Sequence, residues 1–346
     1  MKTVRLGRTD LMVSQYCLGS MTWGTQTSQD EGHAQIEAAL DAGINFIDTA
    51  EAYPVNPMNK ENAGKTEEII GNWFAKTGRR DEVILATKVA GKGNYIRDGE
   101  EITAKTIREG VEGSLKRMKT DMIDLYQLHW PNRGSYMFRK NWAYDPTDQD
   151  RAATVAHMEE ILSTLHDMVK EGKLRHIGTS NESAWGTMMW LQIAERLGAP
   201  RMETIQNEYS LLCRLFDTDL AELSHNEEVS LLAFSPLAVG FLTGKYQGGA
   251  VPEGSRKSIN KTVGGRESPR VREAAQVYLD IAAKHGLDPV HMSLAWCCQR
   301  PFRVIPIVGA TTMEQLNHII AGKDLVLGQE VLDDITAAHK TVPMPY

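Results

Sequence analysis

The stretch INFIDTAEAYP, residues 44–54, decides how the rest of the chain is read. Its first half is a short apolar run, the pattern of a strand buried on both faces. It ends on Asp48, and Tyr53 follows five positions later. Seven further runs of the same kind occur: SQYCLGSM, VILATKV, DLYQLHW, LRHIGTSN, TIQNEYS, LLAFSPL and VIPIVGA. Segments of helical period separate them, such as Ile69, Ile70, Trp73 and Phe74 in TEEIIGNWF, or Met158, Ile161, Leu162, Leu165 and Val169 ahead of KLRHIG.

Helix-start signals agree with this division. Ser28 precedes Glu31 by three residues and Thr311 precedes Glu314 by three, each pair able to form a capping box. Gly43, Gly78, Gly198 and Gly286 fall where helices should stop. Eight strand–helix repeats favour a closed parallel barrel over an open doubly wound sheet, which usually carries a dinucleotide fingerprint after its first strand. No GxGxxG is present. The expected fold is therefore α/β, a (β/α)8 TIM barrel in one domain over residues 1–346. An N-terminal β-hairpin, KTVRLGRTDLMV, is expected to cover the barrel floor, and long loops follow strands 4 and 7, at residues 131–152 and 244–270.

The chain has 346 residues, 42% hydrophobic and 24% charged, the composition of a globular protein with ample core. Its net charge of −7 and the lack of a basic face argue against nucleic acid as a partner. Neither a signal-peptide core nor a membrane span is visible, which makes the cytoplasm the expected location. Cys17, Cys213, Cys297 and Cys298 have no CxxC spacing and read as buried, reduced thiols. No stretch marks a self-association surface.

In a βα barrel the loops at the C-terminal ends of the strands build the active site, so the ionisable residues that end strands carry the most information. Asp48 ends the second strand, Lys88 the third and His129 the fourth, with Tyr53 just beyond Asp48. Neighbouring strands lie about 4.8 Å apart, which brings these groups within reach of one another. A tyrosine hydroxyl is a poor acid at neutral pH, and an adjacent lysine ammonium favours the phenolate and lowers its pKa. A carboxylate such as Asp48 would keep a buried Lys88 charged, and a His129 N–H would hold a substrate oxygen against Tyr53. Any one of these residues alone is an ordinary satisfied polar group. Together they read as an acid aimed at a carbonyl oxygen.

DTAxxY, with a lysine ending the next strand and LH ending the one after, resembles the aldo-keto reductase family. The resemblance runs from RLGRTDLMVS to VGATTMEQL and includes GKTEEIIG, SLKRMKTDMIDLYQLHWP, KLRHIGTSN, IQNEYSLL and AFSPLAVGFLTGKY. AEAYPVNP and the insertion after LHWP resemble the Tas-like bacterial branch of that family. The resemblance implies a βα barrel that reduces a small aldehyde or ketone with NADP(H) and no metal. It makes Tyr53 the general acid, Lys88 and Asp48 its tuning pair, and His129 the group that orients the carbonyl.

The same resemblance implies a cofactor extended across the barrel mouth. Ser180, Asn181 and Gln206 would hold its carboxamide, and Phe234 would stack on its nicotinamide where many relatives have Tyr or Trp. Ser235, Pro236, Leu237, Gly240, Leu242, Gly244 and Lys245 would meet the pyrophosphate. That segment mimics a P-loop, but GxxxGK followed by Tyr246 is one residue short of a Walker A motif and lacks its Ser or Thr, which excludes an NTPase. Arg256, Gly309, Thr311 and Gln315 would meet the adenosine 2′-phosphate and so favour NADP over NAD; Ile319 stands where many relatives carry an adenine-binding Asn. Trp23, Tyr95 and the aromatics of the 131–152 loop are candidates for the substrate pocket, with that loop expected to close over the mouth. Two other readings compete. In one the barrel is an NADP(H)-holding regulatory subunit with little turnover, against which His129 argues, because the ion-channel β-subunits of this kind carry Asn at that place. The other is a Schiff-base aldolase using Lys88, which Asp48 would oppose by keeping the lysine protonated.

Overall fold

The computed structural model describes residues 1–346. Strands β1 (Thr3–Arg5) and β2 (Met12–Ser14) pair antiparallel as the expected hairpin. Eight parallel strands close into a barrel: β3 (Cys17–Gly19), β4 (Phe46–Asp48), β5 (Ile84–Val89), β6 (Ile123–Leu128), β7 (Leu174–Ser180), β8 (Met202–Glu208), β9 (Ser230–Phe234) and β10 (Val304–Val308), the last pairing back to β3. The (β/α)8 expectation, hairpin included, is thus met.

Side chains alternate along each strand, and that period of two sorts the barrel interior by height. At the lower level Cys17, Phe46, Ala86, Leu125, Leu232 and Ile305 form an apolar cluster, closed from below by Leu6, Leu11 and Val13 of the hairpin. One inward step up the strands stand Asp48, Lys88, Gln127, Ser180 and Gln206, all buried. The far larger outer cluster of 71 buried residues packs the strands against the helices.

Two boundaries differ from expectation. The helix Met313–Ala321 is capped by Thr312, whose hydroxyl accepts from the Gln315 N–H, while Thr311 stays outside and donates both its N–H and its hydroxyl to the Gln315 side-chain oxygen. The capping-box motif was read one residue early because two threonines adjoin. Between β9 and β10 the chain inserts two helices, Pro269–Lys284 and Pro289–Cys298, with Gly286 in the left-handed region between them and Asp288 capping the second. At Ser28 only half of the expected box forms, the hydroxyl accepting from the Glu31 N–H. All four cysteines are free thiols.

Candidate active site

The four strand-end residues converge. Lys88 donates to Asp48 Oδ2 at 2.7 Å, to the Thr49 carbonyl at 2.7 Å and to the Tyr53 hydroxyl at 3.4 Å. Its ammonium has thereby placed all three of its protons, which is what makes a fully buried lysine tolerable. Asp48 is satisfied from the other side by Gln206 at 2.9 Å and Gln127 at 3.2 Å, both at Oδ1. The ladder explains the meeting: Lys88 lies directly opposite Gln127, and β7 carries Ser180 directly opposite Gln206 on β8. His129 continues the β6 ladder one residue beyond the strand, donating its N–H to the Val89 carbonyl at 3.0 Å, and its ring meets Tyr53 edge-on with centroids 5.8 Å apart.

Electrostatics set the protonation states. Burial pushes the Tyr53 hydroxyl above the ordinary tyrosine range; Lys88 pulls it down and Asp48 pushes it up again. The expected effect of Lys88 is therefore present, but burial outweighs it, and Tyr53 holds its proton more firmly than a free tyrosine. Burial also opposes the charge on Lys88, yet Asp48 and then Tyr53 overcome it and raise the lysine above its usual value. His129 is driven well below the usual imidazole range by burial and by the Lys88 charge, so it stands neutral with a single ring N–H. The arrangement offers a protonated phenol, a fixed cation behind it and a neutral imidazole beside it, all facing one mouth.

Several supporting groups were not singled out in the sequence. Glu51, two residues before Tyr53, is buried in a bidentate pair with Arg97 and accepts the Ala90 N–H at 2.7 Å. This fastens the tyrosine-bearing loop to the end of β5. Gln127 was visible as a polar residue in an apolar strand, a signal that would have found it. Gln206, already a candidate from the sequence, spends its amide N–H groups on Asp48 and on Gln127, at 2.9 Å and 3.2 Å, leaving its oxygen for any ligand.

Around the mouth, Asn181 takes a left-handed φ of 55° and donates to the His129 carbonyl at 2.9 Å and to Ser180 at 3.1 Å, while its own side-chain oxygen is buried without a donor. An orphaned buried oxygen beside the imidazole suits an incoming amide. Phe234 ends β9 and is only partly buried. In the segment after it, Ser235, Ala238, Val239, Gly240 and Gly244 all have positive φ, a backbone held in the sparsely populated conformations that gather at ligand sites. Gly240 is needed for a second reason: a Cβ there would sit 2.6 Å from the Lys245 side chain, which folds back across it. Lys245 and Arg256 are both held below their usual pKa, by burial first; Arg256 adds to the shift of Lys245 by repulsion, and no carboxylate relieves either. Two uncompensated cations on one loop make a basic patch able to receive an anion. Gly309, Thr311 and Gln315 lie beyond β10, on the way into the helix Met313–Ala321.

Both long loops lie at the C-terminal ends of the strands. The 131–152 loop runs along the rim, pinned by Arg133 to Glu182, by Ser135 to the Asn181 carbonyl at 2.8 Å and by Arg139 to Glu208 at 3.4 Å. It walls a cavity of about 850 Å³ that reaches Trp130 and Ser180 and is backed by the helix Arg151–Lys170. Trp130 packs between His129 and Phe138, with centroids at 4.9 Å and 6.5 Å, so an aromatic row connects that loop to the imidazole. The 244–270 loop reaches the β3 side: Gln26, after β3, donates to the Gly254 carbonyl at 3.2 Å, and the Arg256 charge favours the Tyr53 phenolate. It is moored at its far end by Arg266, which grips Glu208 through two bonds of 2.7 Å. Trp23 does not line a pocket. It is fully buried and donates its indole N–H to Gln35 at 2.9 Å. Tyr95 does stand at the mouth, donating to the Ala52 carbonyl beside Tyr53.

Comparison with known proteins gives this geometry its context. Residues 16–340 match the model of the Aldo/keto reductase family. The chain belongs to the aldo/keto reductase family. It is 43% identical to Protein tas of Escherichia coli over 99% of this chain and 98% of that one. It is 33% identical to the uncharacterized oxidoreductase YrpG of Bacillus subtilis over 96% and 94% of the two chains. A rice protein described as a probable voltage-gated potassium channel subunit beta is 30% identical over 99% and 98%. Family membership supports an oxidoreductase acting on small carbonyl compounds, and no helix is long and apolar enough to cross a membrane.

Proposed function

We propose that the whole chain acts as one cytoplasmic catalytic domain that reduces an aldehyde or ketone to the alcohol with NADPH, Tyr53 serving as general acid. The observation that carries this reading is the buried chain Asp48–Lys88–Tyr53, with contacts of 2.7 Å and 3.4 Å, facing the neutral His129. The reaction needs a proton delivered to a carbonyl oxygen as negative charge grows there. Tyr53 holds that proton at neutral pH, and the Lys88 ammonium stabilises the phenolate left after transfer. Asp48 keeps Lys88 charged, and Gln127 and Gln206 hold the Asp48 carboxylate in place by donating to Oδ1. His129 lends its single ring N–H to the same oxygen and so fixes the carbonyl in line with Tyr53.

The residues present fit a nicotinamide dinucleotide. Asn181, through its unpartnered oxygen, together with Ser180 and Gln206 would hold the carboxamide, and Phe234 would cover one face of the ring. Ser235, Pro236, Leu237, Gly240, Leu242 and Gly244 would line the pyrophosphate with Lys245, and Arg256, Gly309, Thr311 and Gln315 would take the 2′-phosphate. The cofactor supplies the hydride. A second reading, an NADP(H)-holding subunit, draws on the likeness to the plant channel-subunit relative, while the imidazole at position 129 favours turnover.

The deciding experiment follows nicotinamide absorbance with the wild-type protein and a panel of small aldehydes. Consumption of NADPH in step with alcohol formation is expected. Tight NADPH binding without consumption of any aldehyde would overturn the reductase reading in favour of the holding subunit.

A further inference from the structure

In the outer layer, on the helices that flank β10 in sequence, three potential ligand side chains face one point. Asp288 caps the helix Pro289–Cys298, His291 lies in its first turn, and His318 comes from the helix Met313–Ala321; one ligand atom from each falls within 4.8 Å of the others. The His318 Nε2 is 2.9 Å from Asp288 Oδ2, and the His291 Nδ1 is 3.9 Å from Asp288 Oδ1.

His291 is held in a particular way. Its Nε2 lies 2.6 Å from the His318 carbonyl, a contact that only a ring N–H can make, so the proton sits on Nε2 and the Nδ1 lone pair is left free. That is the outer-shell bond by which proteins fix the tautomer of a metal-binding histidine. The imidazole also lies flat against Gly322, where a Cβ would come within 2.3 Å of the ring. A glycine at this place gives the ring its room. On the other side, Asp288 Oδ1 is occupied by the N–H groups of Val290 and His291, at 2.8 Å and 3.0 Å, which orients the carboxylate and leaves Oδ2 directed at His318. A salt bridge between Asp288 and His318 alone would require neither the fixed tautomer of His291 nor the space left by Gly322.

We propose that Asp288, His291 and His318 bind a divalent transition-metal ion of the zinc class. Two imidazole nitrogens and one carboxylate oxygen form a ligand set suited to Zn²⁺, with bonds of about 2.0–2.2 Å and water completing the tetrahedron. Small adjustments of the half-exposed His318 bring all three atoms to such a sphere. The ligands come from two helices, so the ion ties Met313–Ala321 to Pro289–Cys298. That tie makes its role structural.

The test uses the full-length, tag-free protein after chelator treatment. Zn²⁺ binding is measured by calorimetry, and Co²⁺ as a probe is followed by its visible absorption. One Zn²⁺ per chain and a Co²⁺ spectrum of tetrahedral type with nitrogen ligands are expected. His318→Ala, at an exposed position, should weaken Zn²⁺ binding at least about tenfold. Gly322→Ala removes no ligand yet displaces the His291 ring, and should weaken binding as well. Absence of a binding isotherm for the wild type, or equal affinity in the wild type and in His318→Ala, would overturn the proposal.

Discussion

The floor and the mouth of this barrel are built on the same strands, two residues apart, and follow opposite rules. Phe46, Ala86 and Leu125 lie at the floor; Asp48, Lys88 and Gln127 lie one inward step above them. Below, apolar side chains need only fill space. Above, the buried charges must find partners, because burying an unpaired charge costs far more than burying a methyl group. The difference teaches that the mouth is a network in which each residue is defined by its neighbours, whereas the floor is a packing whose members are nearly independent.

That contrast can be broken or sharpened by substitution. Lys88→Met should produce the largest change, since it removes the cation behind Tyr53 and strands the Asp48 carboxylate between two amides. Turnover is expected to fall by at least about a hundredfold, and stability by roughly 3 kcal/mol, towards the lower end for breaking a buried pair because Gln127 and Gln206 remain. Steady-state kinetics and urea unfolding would read the two effects together. Phe46→Ala at the floor should cost about 3–5 kcal/mol of stability through the cavity it leaves, while turnover per folded molecule stays within about twofold. A large kinetic defect there would mean that floor and mouth are coupled after all.

Arg256→Ala moves outward to the 244–270 loop. It should raise the NADPH dissociation constant about tenfold, worth roughly 1.4 kcal/mol, and leave that for NADH nearly unchanged. Fluorescence titration with both cofactors checks this, and equal effects on the two would remove Arg256 from the 2′-phosphate. The smallest effect concerns pH. His129 is held below its usual pKa, so the unfolded chain takes up a proton near pH 6.5 that the folded chain refuses. Stability contributed this way is complete above about pH 6.5 and declines as the pH falls below it, by at most about 1.4 kcal/mol per unit, the slope for one proton. His129→Asn should flatten that limb in unfolding curves taken from pH 7 to 5.

Much of this was legible in the sequence because it is periodic. The strands repeat every two residues and the helices every 3.6, which exposed eight repeats, and a polar residue at the end of an apolar run exposed Asp48, Lys88 and His129. What could not be read depends on contacts without a period. The Asp48 bonds to Gln127 and Gln206 follow from the register between strands far apart in the chain. The net rise in the Tyr53 pKa follows from burial, which a list of neighbouring charges does not contain. The paths of the two long loops carry no repeat at all, so the ion pairs that pin them, Arg133 to Glu182 and Arg266 to Glu208, were not visible in the sequence.

The central claim is that Tyr53 delivers the proton while its neighbours hold it ready. The most direct measurement compares Tyr53→Phe with the wild type in aldehyde turnover and in NADPH binding. The account predicts a loss of turnover of about 10²–10⁴-fold with an unchanged NADPH dissociation constant. Turnover within about tenfold of the wild type, with binding intact, would contradict it and pass the acid's role to another group at the mouth.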